Sequence, residues 1–174
     1  MRPALALLLL LFLSPLAQAA GQWVGRPAPV LSLPDQDGKA RRLAEFRGQW
    51  VALYFYPKDD TPGCTQEALR FRDRWAELRR ANIMVVGVSV DDVASHRAFA
   101  TRLKLPYPLL ADDRHALARA MGVLRGMGPL GFASRETFLI DPEGTIVYHY
   151  PDVDTARHAE QVLADVKRLS AASP

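Results

Sequence analysis

Residues 54–73 read Y-F-Y-P-K-D-D-T-P-G-C-T-Q-E-A-L-R-F-R-D, from Tyr54 to Asp73, and hold Cys64, the only cysteine of the 174-residue chain. The apolar run before it, Trp50 to Tyr56, predicts a buried strand. Phe71, Trp75 and Leu78 fall on one face of the segment that follows, which predicts a helix ending near Asn82. Two prolines, a glycine and two aspartates between them mark a loop. Cys64 therefore stands where a strand hands over to a helix, in or near the first helical turn. Amide N–H groups there lack intrahelical partners, and the helix dipole favours negative charge. Such a place turns a thiol into a thiolate.

Outward from this stretch, Ile83 to Val90 is a continuous apolar run suited to a strand buried on both faces. Asp91 and Asp92 are placed to cap a helix from Val93 to Leu103. Leu105 to Leu110 is held extended by its prolines. Asp112 and Asp113 open a further helix to about Met121, and 122–131 is a glycine-rich loop. Glu136 to Ile140 and Thr145 to Tyr150 are strands joined by the tight turn Asp141-Pro142-Glu143-Gly144. A last helix runs from Asp154 to about Leu169, with Ala159, Val162, Leu163, Val166 and Leu169 on one face. Alternating strands and helices require crossovers and a largely parallel centre, and the hairpin adds an antiparallel pair. The expected fold is α/β: a mixed central sheet flanked by helices, with a reactive cysteine at the first strand-to-helix junction, the thioredoxin-like arrangement.

The first residues stand apart from this pattern. Arg2 precedes an almost wholly apolar Leu5 to Leu13, and Ala17-Gln18-Ala19 supplies small residues in the A-x-A arrangement. Residues 1–19 are expected to be a secretory signal peptide, cleaved after Ala19 or Ala20, with 20–174 as one domain. The apolar run is short of the roughly 20 residues that a spanning helix needs. Export, most simply to a bacterial periplasm, makes the lone cysteine informative: it has no intramolecular disulfide partner. An inert buried cysteine is the competing reading, since free cysteine is among the most buried residue types. The net charge of +3 is scattered over the chain and forms no stripe for nucleic acid.

Pro57, Thr61 and Cys64 form P-x-x-x-T-x-x-C inside F-Y-P-K-D-x-T-P-G-C-T-x-E. With Asp35-Gln36-Asp37-Gly38, the G-V-S-x-D run at 87–91, L-L-A-D at 109–112 and R-x-T-F-L-I-D at 135–141, the chain resembles the peroxiredoxins. It is most similar to the bacterioferritin-comigratory, or Q-type, branch of the AhpC/TSA-like family. The resemblance implies a thioredoxin-like fold and a thiol-dependent peroxidase acting on hydrogen peroxide or small alkyl hydroperoxides. It implies that Cys64 attacks the peroxide, Thr61 hydrogen-bonds thiolate and peroxide, Pro57 shields the site and Arg135 holds the sulfur anionic. No metal or organic cofactor is called for.

Physical chemistry supports part of this. An ordinary thiol is mostly protonated at neutral pH, so the nucleophilic thiolate needs donors or positive charge nearby. The helix N-terminus, the Thr61 hydroxyl and a guanidinium could supply them. Asp59 and Asp60 would work against a second anion, so fixed positive charge must come from elsewhere. Arg135 opens the strand expected beside Trp50–Tyr56, but only the resemblance singles it out. Glu67 matches the family's C-T-x-E, and is equally well read as a first-turn carboxylate at a helix start.

Leu69 departs from the family pattern. Many Q-type members carry a resolving cysteine five residues after the first. On an intact helix such positions have Cα atoms roughly 8–9 Å apart, beyond the roughly 7 Å limit of a disulfide. Here the position is leucine, so reduction of oxidised Cys64 falls to an external thiol: a thioredoxin-like protein, a glutaredoxin or glutathione. A monomer or weak homodimer is expected. An exported thiol–disulfide oxidoreductase or carrier on the same fold is the alternative, weakened by the absence of C-x-x-C. A third possibility is a binding module with Cys64 inert.

Other patterns carry less. Residues 126–131 match G-x-G-x-x-G but follow a helix and precede a strand, the reverse of a dinucleotide site. They are expected to border the active site. His96, His115, His149 and His158 lack metal-ligand spacing and are expected at the surface or at caps. Arg70, Arg72, Arg74, Arg79 and Arg80 are expected on a solvated helix face.

Overall fold

The structure, a computed structural model, describes residues 23–172. The signal segment expected at 1–19 lies outside the described residues. The strands are β1 (Ser32–Pro34), β2 (Ala40–Arg42), β3 (Trp50–Phe55), β4 (Ile83–Ser89), β5 (Leu109–Ala111), β6 (Leu124–Arg125), β7 (Phe132–Ala133), β8 (Glu136–Ile140) and β9 (Ile146–Tyr150). The helices are α1 (Pro62–Asp73), α2 (Trp75–Arg80), α3 (Val93–Leu103), α4 (Ala116–Ala120) and α5 (His158–Ala172).

The central sheet has the order β5-β4-β3-β8-β9. β3 runs parallel to β4, and β4 to β5, while β8 lies antiparallel to both β3 and β9. This is the mixed sheet with a parallel centre and an antiparallel hairpin that the element order predicts. β3 is its middle strand, and its side chains alternate between two cores because both faces are covered. Ala52, Tyr54 and Tyr56 pack with Phe71, Leu78, Phe99 and Val162 from α1, α2, α3 and α5. Val51, Leu53 and Phe55 pack on the opposite face with Phe46, Leu117 and Met121. Gly87 is the parallel partner of Tyr54. A Cβ there would stand 2.8 Å from the Tyr54 hydroxyl and 2.6 Å from Leu109 Cδ2, so only glycine admits the tyrosine ring.

Several local expectations change. The single helix expected up to Asn82 divides at Arg74, whose ψ is 4°. Its guanidinium is tied to Glu77 and to Glu160 of α5, a tertiary partner invisible in the periodicity. Arg72 and Arg74 are accordingly half-buried and ion-paired, while Arg70, Arg79 and Arg80 are exposed. Asp92 caps α3 by accepting from the Ser95 amide, but Asp91 turns away to Ser89 and Asp59. Asp112 accepts from the Leu117 and Ala118 amides and anchors α4, whereas Asp113 is exposed. No helix among the described residues is long and apolar enough to cross a membrane.

Candidate active site

Cys64 lies in the first turn of α1, as its sequence position predicts. Thr61 holds the N-cap place with extended φ/ψ of −79° and 149°, and Pro62 follows at the first helical position, where its missing N–H costs nothing. The sulfur is nearly closed off, at 1% exposure. The antiparallel register pairs Phe55 with Glu136, which brings the residue before β8 to the carboxyl end of β3, beside the start of α1. That residue is Arg135. Its Nη2 donates to Cys64 Sγ at 3.2 Å, and its Nη1 to Glu67 Oε2 at 2.5 Å. A Cβ on Gly63 would come within 3.2 Å of Arg135 Nη2, so the glycine allows the guanidinium to lie against the helix start. Burial works against the Arg135 charge, but Glu67 and Cys64 outweigh it and hold the guanidinium firmly protonated.

Glu67 is not the first-turn carboxylate of the sequence reading. It falls in the second turn of α1, fully buried. Burial pushes its carboxyl up to about 7, although the Arg135 ion pair pulls the other way. Thr61 Oγ1 donates to the Lys58 carbonyl at 3.1 Å. Its proton is thereby committed, and its lone pairs are left to accept. Pro57 is half-buried where β3 gives way to the loop.

The two aspartates expected to oppose a thiolate are engaged elsewhere. Asp60 adopts a left-handed φ of 61° and pairs with Arg102. Asp59 is buried and accepts from the Tyr56 hydroxyl, from Ser95 Oγ and from His96 Nδ1, each at 2.8 Å. Burial alone would raise its carboxyl, but His96, Ser95 and Tyr56 prevail and hold it below the usual carboxylate range. The Asp59 amide in turn donates to Asp91 Oδ2 at 2.8 Å. These bonds fasten the loop from β3 to α1 onto α3 and the end of β4.

The histidine expectations need correction. His96 is buried between Asp59 and the Leu110 carbonyl. His149 stacks on Phe138, with ring centroids 4.3 Å apart, and pairs with Glu136. His158 is buried against Phe71 and Tyr150, its Nε2 at 2.8 Å from Thr137 Oγ1. Each has partners distant in sequence, which local spacing does not reveal. His115 alone stands at a cap position, preceding α4. The glycine-rich loop 126–131 joins β6 to β7, which Ser134 and Arg135 follow.

Residues 24–149 match the family model described as the AhpC/TSA family. The peroxiredoxin Bcp of Bacillus subtilis is 38% identical over 152 residues, covering 84% of this chain and 96% of that protein. The chain belongs to the AhpC/TSA family. Among solved structures, the peroxidoxin BcpB of Mycobacterium tuberculosis superposes with a TM-score of 0.79 at 34% identity, over 84% of this chain and 97% of that one. The bacterioferritin comigratory protein of Xanthomonas campestris gives 0.77 at 37% identity, over 84% and 98%. These neighbours show the thioredoxin-like fold. This peroxiredoxin is thus an oxidoreductase, a thiol-dependent peroxidase that takes a peroxide and a thiol reductant.

Asp59, Asp91 and His96 of the peroxiredoxin offer possible metal-ligand atoms within 4.8 Å of one another. Asp59 Oδ2 is already spent on His96 and Ser95, and Asp91 Oδ2 accepts from Ser89 Oγ and the Asp59 amide. The trio is explained as a loop anchor. Gly63 was read from the sequence only as a loop former, and Glu67, although it matches C-T-x-E, gave no sign of its burial beside Arg135, 68 positions away.

Proposed function

We propose that Cys64 is the only redox cysteine of a one-cysteine peroxidase cycle, with Thr61, Arg135 and Pro57 completing its site. The observation that carries this reading is the 3.2 Å contact from Arg135 Nη2 to Cys64 Sγ at the start of α1. A guanidinium and a helix N-terminus together favour the thiolate, which is the nucleophile. The thiolate attacks one peroxide oxygen and becomes a sulfenic acid, and the O–O bond breaks. Arg135 and the free amides of the first turn stabilise charge on the departing oxygen. Thr61, with its proton held by Lys58, accepts from the peroxide O–H and orients it. Pro57 shields the reacting atoms from bulk water.

The second half of the cycle needs an outside thiol. Cys64 is the sole cysteine, and α1 runs unbroken past Leu69, which packs partly buried against the core. Substrates are hydrogen peroxide and small alkyl hydroperoxides; the work on the Xanthomonas protein concerns alkyl peroxide reduction activity. The cellular role is antioxidant defence and redox homeostasis. The apolar leader with its A-x-A site supports export of residues 20–174 to a periplasm, as a monomer or weak homodimer, with a thioredoxin-like protein, a glutaredoxin or glutathione as reductant.

The test is to add one equivalent of peroxide to the reduced protein and follow its mass. Rapid gain of one oxygen on Cys64, lost again with added thiol, is the expected result. A thiol that stays unmodified sinks the proposal, and exchange with a model disulfide but not with peroxide favours a thiol carrier. Cys64→Ser abolishes peroxide consumption.

A further inference from the structure

Glu67 is fully buried, and its Oε1 has no hydrogen-bond partner. Its other oxygen shares with Cys64 Sγ the two amino ends of one guanidinium. Among the described residues, Arg135 is the only cation that acts on Glu67. Tyr54 from β3 and Tyr107 from the segment before β5 act on it as phenols, both held above their ordinary range by burial. His158, from α5, packs on Phe71 of α1, and burial, with Arg135 adding to the effect, brings its imidazole down to about 4. Among the described residues, Arg135 is therefore the one cation hydrogen-bonded to both acidic groups. Two anions on a single cation in a closed site repel one another. An ionised carboxylate with an orphaned oxygen adds a desolvation cost.

We propose that Cys64 and Glu67 hold one negative charge between them: Glu67 is protonated while the sulfur is a thiolate, and ionises when the sulfur is oxidised. In the peroxidase step the Sγ lone pair forms an S–O bond to the OH oxygen of ROOH. The O–O bond breaks and RO⁻ departs, the sulfur having lost two electrons that the peroxide gains. The proton released by Glu67 neutralises RO⁻ to ROH. Reactant and product sites then carry the same charge, Cys–S⁻ with Glu–COOH before and Cys–SOH with Glu–COO⁻ after. Arg135 faces one anion throughout and needs no new counterion in a site closed to water. Glu67 supplies the proton for the leaving oxygen and sets the charge that faces the sulfur through Arg135.

The inference rests on the peroxidase reading of Cys64. It is tested by the infrared difference spectrum between reduced protein and protein oxidised by one equivalent of hydrogen peroxide. The expected result is loss of the C=O stretch of a protonated carboxylic acid with gain of a carboxylate, both missing in Glu67→Gln. The pH profile of the oxidation rate should also show an inflection near neutrality that the glutamine variant lacks. Full oxidation of wild-type Cys64 with no loss of a carboxylic-acid band overturns the proposal, as does the same band change in Glu67→Gln. The wild-type spectrum decides the matter even where the variant does not fold. Failure of wild-type protein to consume peroxide would instead overturn the peroxidase reading.

Discussion

The carboxylate of Glu67 is fully buried and meets the Arg135 guanidinium at 2.5 Å, with the arginine side chain only 22% exposed. This pair joins α1 to the residue preceding β8, which the β3–β8 register brings beside it. It makes both the charge and the position of Arg135 depend on α1 itself.

One consequence is a pH-dependent stability. The folded-state carboxyl of Glu67 titrates at about 7, against 4.5 when exposed, because burial disfavours its charge. Between those values the native state keeps a proton that the unfolded chain has lost, so stability falls as pH rises. His158 acts with the opposite sign. Its imidazole at about 4, against 6.5, means that stability falls as pH drops through that window. In a Cys64→Ser background, adding Glu67→Gln should make the protein progressively more stable relative to its parent between pH 4.5 and 7, by on the order of 3 kcal/mol. Urea titrations across that range are the check, and a pH-independent difference would remove the buried-carboxyl assignment.

Arg135→Ala should slow oxidation of Cys64 by about 10²–10³, the usual cost of removing one preorganised donor from developing charge. Arg135→Lys should recover little of this. A single ammonium is a point charge and cannot hold sulfur and carboxylate on two separate N–H groups. Stopped-flow rates with stoichiometric peroxide distinguish the two; full activity in the lysine variant would show that charge alone suffices.

Gly63→Ala places a methyl 3.2 Å from Arg135 Nη2 and forces the guanidinium to give way by a few tenths of an ångström. A misplacement of about 1 Å costs roughly a hundredfold, so the oxidation rate should drop by roughly three- to tenfold with little change in melting temperature. An unchanged rate would mean that Arg135 tolerates displacement.

Asp59→Asn leaves His96 buried without its carboxylate and weakens the anchor of the loop that presents Thr61 and Cys64. Leaving a buried hydrogen-bonding group without its partner costs about 1–3 kcal/mol. Denaturant midpoints should fall accordingly, and the double variant Asp59→Asn/His96→Gln should cost less than the sum of the single changes. Strict additivity would show that the two side chains do not act as a pair.

The sequence by itself determined the architecture and the reactive atom. Continuous apolar runs mark β3 and β4, because a strand covered on both faces is apolar throughout, and the order of elements points to a mixed sheet. Pro62 and the loop before it place Cys64 in the first turn of α1, since helix starts are written locally. The missing cysteine at Leu69 was equally plain. What only the tertiary structure decided is the electrostatics around the sulfur. Arg135, Glu67, His96 and Asp59 act through partners up to 71 positions away, and a carboxylate's burial is a property of its surroundings, not of its own neighbours in sequence. Asp59 and Asp60 appeared from spacing to threaten the thiolate; folding gave each its own partner. Glu67 could pass for a surface carboxylate, until the β3–β8 register set Arg135 against it and closed the site over both.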